Sequence, residues 1–190
     1  INAGTVVLGQ SASLGSGAVT LQKETTLETA ANLDNTIQLT GDGDSNTTID
    51  TVNLVVAQGQ SSTLSKAVTG DAGLIKSGTG TLTLGSANTY TGGTTVNEGK
   101  VVLATDTASL GAANTGTVTF ANATTLETSA NAIVANDVQL NGQTTVTVSA
   151  NNSLTINNTV NGDGGLIKLG EGTLTLNAEN TYKGNTAITG

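Results

Sequence analysis

The sequence predicts an all-β chain wound as a parallel β-solenoid. Three observations carry this: short runs in which a polar residue alternates with a β-branched residue or Leu, turn residues punctuating those runs, and a long tandem repeat. The first strand is Thr5-Val6-Val7-Leu8. Next come Ala18-Val19-Thr20-Leu21, Thr36-Ile37-Gln38-Leu39 and Val52-Asn53-Leu54-Val55-Val56. The second half supplies Thr117-Val118-Thr119-Phe120, Asp137-Val138-Gln139-Leu140 and Thr145-Val146-Thr147-Val148. A period of two puts one side of each strand inward and the other in water. Gly41-Asp42-Gly43, Gly92-Gly93 and Asn161-Gly162 suit the positive backbone torsions of tight turns. Helix is disfavoured, because Thr, Val, Asn and Gly are poor helix formers.

The tandem repeat decides between architectures. Asp71 to Gly93 reads DAGLIKSGTGTLTLGSANTYTGG, and Asp163 to Gly184 reads DGGLIKLGEGTLTLNAENTYKG. Asn2 to Leu8 (NAGTVVL) recurs as Asn97 to Leu103 (NEGKVVL), and Thr25 to Thr29 (TTLET) recurs as Thr124 to Thr128. The chain therefore divides into two super-repeats, 1–95 and 96–190, within a single fragment. A sandwich of Greek keys would show the same alternation without needing the repetition. One coil usually takes about 20 to 45 residues, so each super-repeat is expected to fill about four coils. Eight coils at about 4.8 Å make a rod of roughly 40 Å. Thr and Asn exposed along it can hydrogen-bond from coil to coil.

Composition excludes many functions. Among 190 residues there are 37 Thr, 25 Gly and 20 Asn, but no Cys, Met, Trp, Pro or His, and all six basic residues are Lys. Without Cys or His there is no thiolate nucleophile, no Ser-His-Asp triad and no His-ligated zinc. Without Arg there is no bidentate phosphate fork. The net charge of −8 opposes nucleic acid and anionic membranes. An apolar fraction of 36% and a mean hydropathy of +0.02 are high for a disordered chain. No apolar run is long enough to span a membrane. The chain starts at Ile1 without a signal peptide and reads as a piece of a longer protein.

The repeated segment resembles the passenger-associated repeat of bacterial autotransporters. The pattern Gly-x-Leu-x-Lys-x-Gly-x-Gly-Thr-Leu-Thr-Leu, then Asn-x-Tyr-x-Gly-x-Thr, is carried by Leu74, Lys76, Gly78, Gly80, Leu82, Leu84, Asn88, Tyr90, Gly92 and Thr94. Leu166, Lys168, Gly170, Gly172, Leu174, Leu176, Asn180, Tyr182, Gly184 and Thr186 carry it again. The resemblance implies a right-handed parallel β-helix of about eight coils, exported to the bacterial cell surface. It also implies a parent chain ending in an outer-membrane β-barrel, which anchors the passenger. Family roles include adhesion, self-association between cells, carriage of proteases or toxins, and assistance to secretion.

Candidate sites are few. Relative to the second super-repeat, the first carries about seven extra residues after Leu39, which in solenoids form a loop. Within it Asp42, Asp44 and Asn46 have the spacing that opens a calcium-binding EF-hand loop. Thr47 replaces the required Gly, Asn53 replaces the closing Glu, and no helices flank it, so a solvated acidic turn is the stronger expectation. Lys76 and Lys168 are expected to lay their stems over the coil with their amines in water. Tyr90 and Tyr182 are expected to be packing anchors. Thr81 with Thr83, and Thr145 with Thr147, suggest a flat ice-binding face only if such pairs recur on every coil. No catalytic residue, cofactor or metal is assigned, and the chain is not expected to be an enzyme. The expected partner is a second copy of the chain or a host surface ligand, with a spacer role as the rival reading. The acidic loop is the nominated contributor to binding.

Overall fold

The computed structural model describes residues 1–43 and 49–190. All 21 strands are parallel to their neighbours, and no helix occurs among the described residues. The chain winds through about nine coils, one more than the repeat arithmetic gives. Coil length follows from the hydrogen bonds between coils: Val68 and Asn88 are 20 residues apart, Asn88 and Ser109 are 21, and Ala112 and Asn136 are 24. The architecture is consistent with the right-handed β-helix expected from the repeat, the hand that parallel strands joined by crossovers adopt almost always.

Each coil passes three faces. Face one is an eight-stranded sheet: Thr5–Leu8, Thr26–Thr29, Thr51–Val55, Gly73–Ser77, Thr94–Val96, Val118–Phe120, Val138–Leu140 and Val160–Asn161. Face two has seven strands: Ser61–Leu64, Thr81–Leu84, Lys100–Leu103, Thr124–Thr128, Thr144–Val148, Leu166–Leu169 and Thr186–Thr189. Face three is split. Val19–Gln22, Ile37–Thr40 and Val68–Gly70 form one sheet, and Ala132–Val134, Ser153–Ile156 and Thr173–Leu176 form another. Between them the chain keeps the ladder without forming strands, through Thr89 N to Val68 O, Thr91 N to Gly70 O and Ala112 N to Tyr90 O.

The alternation in the sequence becomes columns inside the rod. On face one Leu27, Leu54, Lys76, Val96, Phe120 and Leu140 stand one above another. On face two the column runs Leu82, Val101, Leu126, Val146, Lys168 and Ile188. Most of these side chains are fully buried. Each aliphatic one contributes about 1.5 to 3 kcal/mol by leaving water.

Two inward rungs are lysines, which corrects the expectation that their amines would lie in water. Lys76 is 0% exposed and Lys168 is 8% exposed. The Lys76 amine donates to the carbonyls of Ser77 at 3.0 Å, Gly78 at 2.6 Å and Glu98 at 3.1 Å. Lys168 repeats the first two, donating to Leu169 O at 3.0 Å and Gly170 O at 2.5 Å. Lysine fits because three ammonium hydrogens can meet three carbonyls, while the four-carbon stem fills the column. The Glu98 carbonyl belongs to the following coil, so the amine ties one turn to the next.

The motif glycines sit where that turn doubles back. Gly78 has φ +73°, and a Cβ there would lie 2.4 Å from Val56 O. Gly170 has φ +79°, and a Cβ would lie 2.4 Å from Val148 O. Tyr90 is fully buried and shares a 2.6 Å hydrogen bond with Thr94 Oγ1, which donates to Leu110 O at 2.9 Å. Asn88 accepts from Val68 N at 2.8 Å and donates to Ser109 O at 2.7 Å, so one side chain bridges three coils.

Gly78→Ala is expected to lower stability by about 2 kcal/mol or more, through the positive torsion and the clash together, read as a lower urea midpoint. Lys76→Met keeps most of the stem but strands carbonyls, at an expected cost of about 1 to 3 kcal/mol. The pH profile separates this amine from simple packing. Burial brings the Lys76 ammonium down to about 8, with the Glu98 charge pulling the other way. Between about pH 8 and the ordinary lysine value of 10.5 the unfolded chain binds the extra proton, so folding stability rises with pH. Burial raises the Tyr90 phenol above its ordinary 10.0, so stability falls again as pH passes 10. The rise between pH 8 and 10 is expected to be larger in wild type than in Lys76→Met, in urea titrations at stepped pH. Equal slopes would remove Lys76 as its source.

Candidate functional site

Charge is segregated by position. At outward positions on the strands the charged residues are Glu28, Lys100 and Glu127. Lys100 and Glu127 cancel, with Lys100 Nζ 2.7 Å from Glu127 Oε2. Among the described residues the other charges outside the core lie on the corners between strands, including Glu24, Asp34, Asp71, Glu98, Asp137 and Glu179. The reason is local: a strand face needs residues that pack on a pleated, half-buried surface, whereas a turn is solvated and favours Asp and Asn.

Of the nominated acidic loop, Asp42 lies on the corner that follows Ile37–Thr40. Asp44 and Asn46 fall outside the described residues. Asp42 forms an ion pair with Lys23, and Asp50 stands 3.5 Å from the same amine. The Asp42 amide donates to Asp50 Oδ2 at 2.9 Å, and the Gly41 amide donates to Asp71 Oδ1 at 2.8 Å. The hydrogen bond to Asp42, with the two carboxylates, raises the Lys23 pKa above its ordinary value, so the lysine stays charged. Sequence spacing missed Lys23, because it comes from the coil before. It supplies at Asp42 the positive charge that a cation would otherwise bring. Among the described residues no group of three or more acidic side chains is placed to hold a metal ion.

The threonine pairs do share columns, but not on every coil. On face two the outward positions read Ser61 and Thr63, Thr81 and Thr83, Lys100 and Val102, Thr125 and Glu127, then Thr145 and Thr147. Lys100, Val102 and Glu127 interrupt the hydroxyls, so the continuous face an ice lattice needs is absent here. Tyr90 is no surface platform: it is an internal anchor, as expected. Amide and hydroxyl groups do bond along the outside, as in Asn177 Nδ2 to Asn157 Oδ1 at 2.9 Å and Ser77 Oγ to Asn53 Oδ1 at 2.8 Å.

Comparison with known proteins agrees with this geometry. Residues 74–103 and 166–190 match the family model described as passenger-associated-transport-repeat. A stretch of 80 residues, 40% of this chain, is 35% identical to "Adhesin BmaC autotransporter" of Brucella suis biovar 1 (strain 1330). The match spans about 2% of that protein's length. No solved structure matches. With the motif's Lys, Gly, Asn and Tyr closing coils in both copies, the chain is a β-solenoid segment that carries two passenger-associated transport repeats.

Proposed function

We propose that this chain is a rod segment of a bacterial cell-surface adhesin and that it associates with other copies of itself. The observation that carries the reading is the charge segregation. A chain of net charge −8 should repel its copy, yet its broad strand faces present Thr, Ser, Asn and Gln with few charges. Hydroxyls and amides both donate and accept, so such a face is complementary to itself. Each bond contributes only about 0.5 to 1.5 kcal/mol, so association needs many contacts along the rod. The name of the Brucella relative includes adhesin, which supports the class and not the partner. Surface localisation and anchoring through a barrel elsewhere in the parent chain belong to the same proposal. Asp42, Asp44 and Asn46 stay in it as contributors.

A second reading is favoured by a different observation. The side chains that define the repeat point inward and bond within or between coils, as Lys76, Asn88 and Tyr90 do. A motif spent on closing coils suits a stalk that folds coil by coil during export and presents something else. That reading needs no outward contacts at all.

Sedimentation velocity over a wide concentration range separates the two. The self-association reading expects reversible assembly that strengthens from about 0.01 M to about 0.15 M salt, where the screening length falls from about 30 to about 8 Å. Assembly that weakens with salt contradicts it, and a monomer throughout favours the stalk. Repeating the run with calcium tests the acidic loop: no change is expected while Lys23 occupies Asp42.

A further inference from the structure

The two super-repeats do not stack in phase. Thr26–Thr29 lies on face one, whereas its counterpart in Thr124–Thr128 lies on face two. Gly73–Ser77 is on face one, and the equivalent Leu166–Leu169 is on face two. Thr81–Leu84 is on face two, and Thr173–Leu176 is on face three. Every matched pair is displaced by one face in the same sense. A super-repeat therefore advances four coils and one face, so equivalent surfaces point about a third of a turn apart.

One outward surface is repeated residue for residue. On face two, Ser61 stacks on Thr81 and Thr63 on Thr83, giving four hydroxyls on two neighbouring strands. On face three, Ser153 stacks on Thr173 and Thr155 on Thr175, in the same register. Neither patch contains a charge. Among the described residues Ser153 gives its hydroxyl to Asn131, at 3.1 Å, and the other seven make no side-chain hydrogen bond within the chain.

We propose that these two patches are the homotypic contact surfaces and that their phase shift makes the chain divalent, so that it assembles open-endedly instead of closing as a pair. This rests on the self-association reading above. A second copy is the occupant argued for, on two grounds. Each hydroxyl both donates and accepts, so identical patches satisfy one another. The patches are also uncharged surfaces on a chain that repels its copies. If both patches faced one way, two rods could engage both at once and stop. Facing different ways, a bound rod leaves its second patch open, and a contact that does not close on itself continues.

The test is sedimentation velocity and light scattering on the 190-residue chain, with Thr83→Glu, Thr175→Glu and the double variant. Outward carboxylates on exposed strands leave the core intact, and circular dichroism checks this. Wild type is expected to rise past two chains with concentration. Each single variant is expected to stop at two, and the double variant to remain single. A wild type that saturates at two, or single variants that assemble as wild type does, overturns the divalence. Assembly surviving in the double variant keeps self-association and discards the patches. A wild type that is single throughout removes both readings. If it is single yet binds cellulose in a way the double variant does not, the patches are polysaccharide contacts and the homotypic assignment falls.

Discussion

Everything in this rod depends on hydrogen bonds running between coils. A coil cannot satisfy its own backbone, because its three strands face away from one another. The partners of each amide and carbonyl lie in the coil before and the coil after. Thr5 pairs with Thr26, Thr26 with Asn53, Thr94 with Val118 and Val118 with Val138. Fixing the register fixes which side chains meet inside, and the inward columns follow. A change in one coil is therefore felt by its two neighbours and falls off beyond them.

That constraint explains the residues the repeat uses. Where a strand turns the corner, its carbonyls leave the ladder and need donors. Lys76 supplies three at one corner of face one, and Lys168 supplies two at the equivalent corner one face on. A buried ammonium is costly unless it is well bonded, and the amine at about 8 shows that part of the cost persists. Asn88 and Asn180 act at a second corner, each accepting the amide that opens a strand of the previous coil, Val68 and Val160. Tyr90 and Tyr182 then pair with Thr94 and Thr186 at 2.6 and 2.7 Å. The motif is a set of corner fittings, one per kind of broken ladder.

Much of this is legible in the sequence. The strand at Thr5 to Leu8 lies where the alternation puts it, and those near Leu21, Leu39 and Leu140 shift by at most one residue at either end. The inward lysines are legible too: in Leu74-Ile75-Lys76 the parity puts Lys76 on the side of Leu74, and in the fold parity outweighs charge. The phase shift was not legible, because it depends on the length of each coil, and turn lengths vary without changing the strand pattern. Lys23 was equally hidden: its place beside Asp42 comes from stacking, and the two are 19 residues apart.

The same separation of roles governs how such a rod can meet another. Repeat residues are consumed inside, so recognition falls to outward positions that the motif leaves free. Most of those positions are polar, with Val7 and Ile133 among the apolar exceptions, and their hydrogen bonds act only at contact. The corners carry the charge, and their repulsion acts over the screening length. On the proposed reading two rods feel repulsion first and attraction only after touching, and the medium sets how much of the first must be crossed. In dilute salt the corners keep chains apart; at physiological ionic strength the repulsion reaches no farther than about two coil spacings. On the proposed reading the hydroxyl faces then decide the outcome, which makes the neutrality of the strands, more than any single residue, the feature on which self-association would rest.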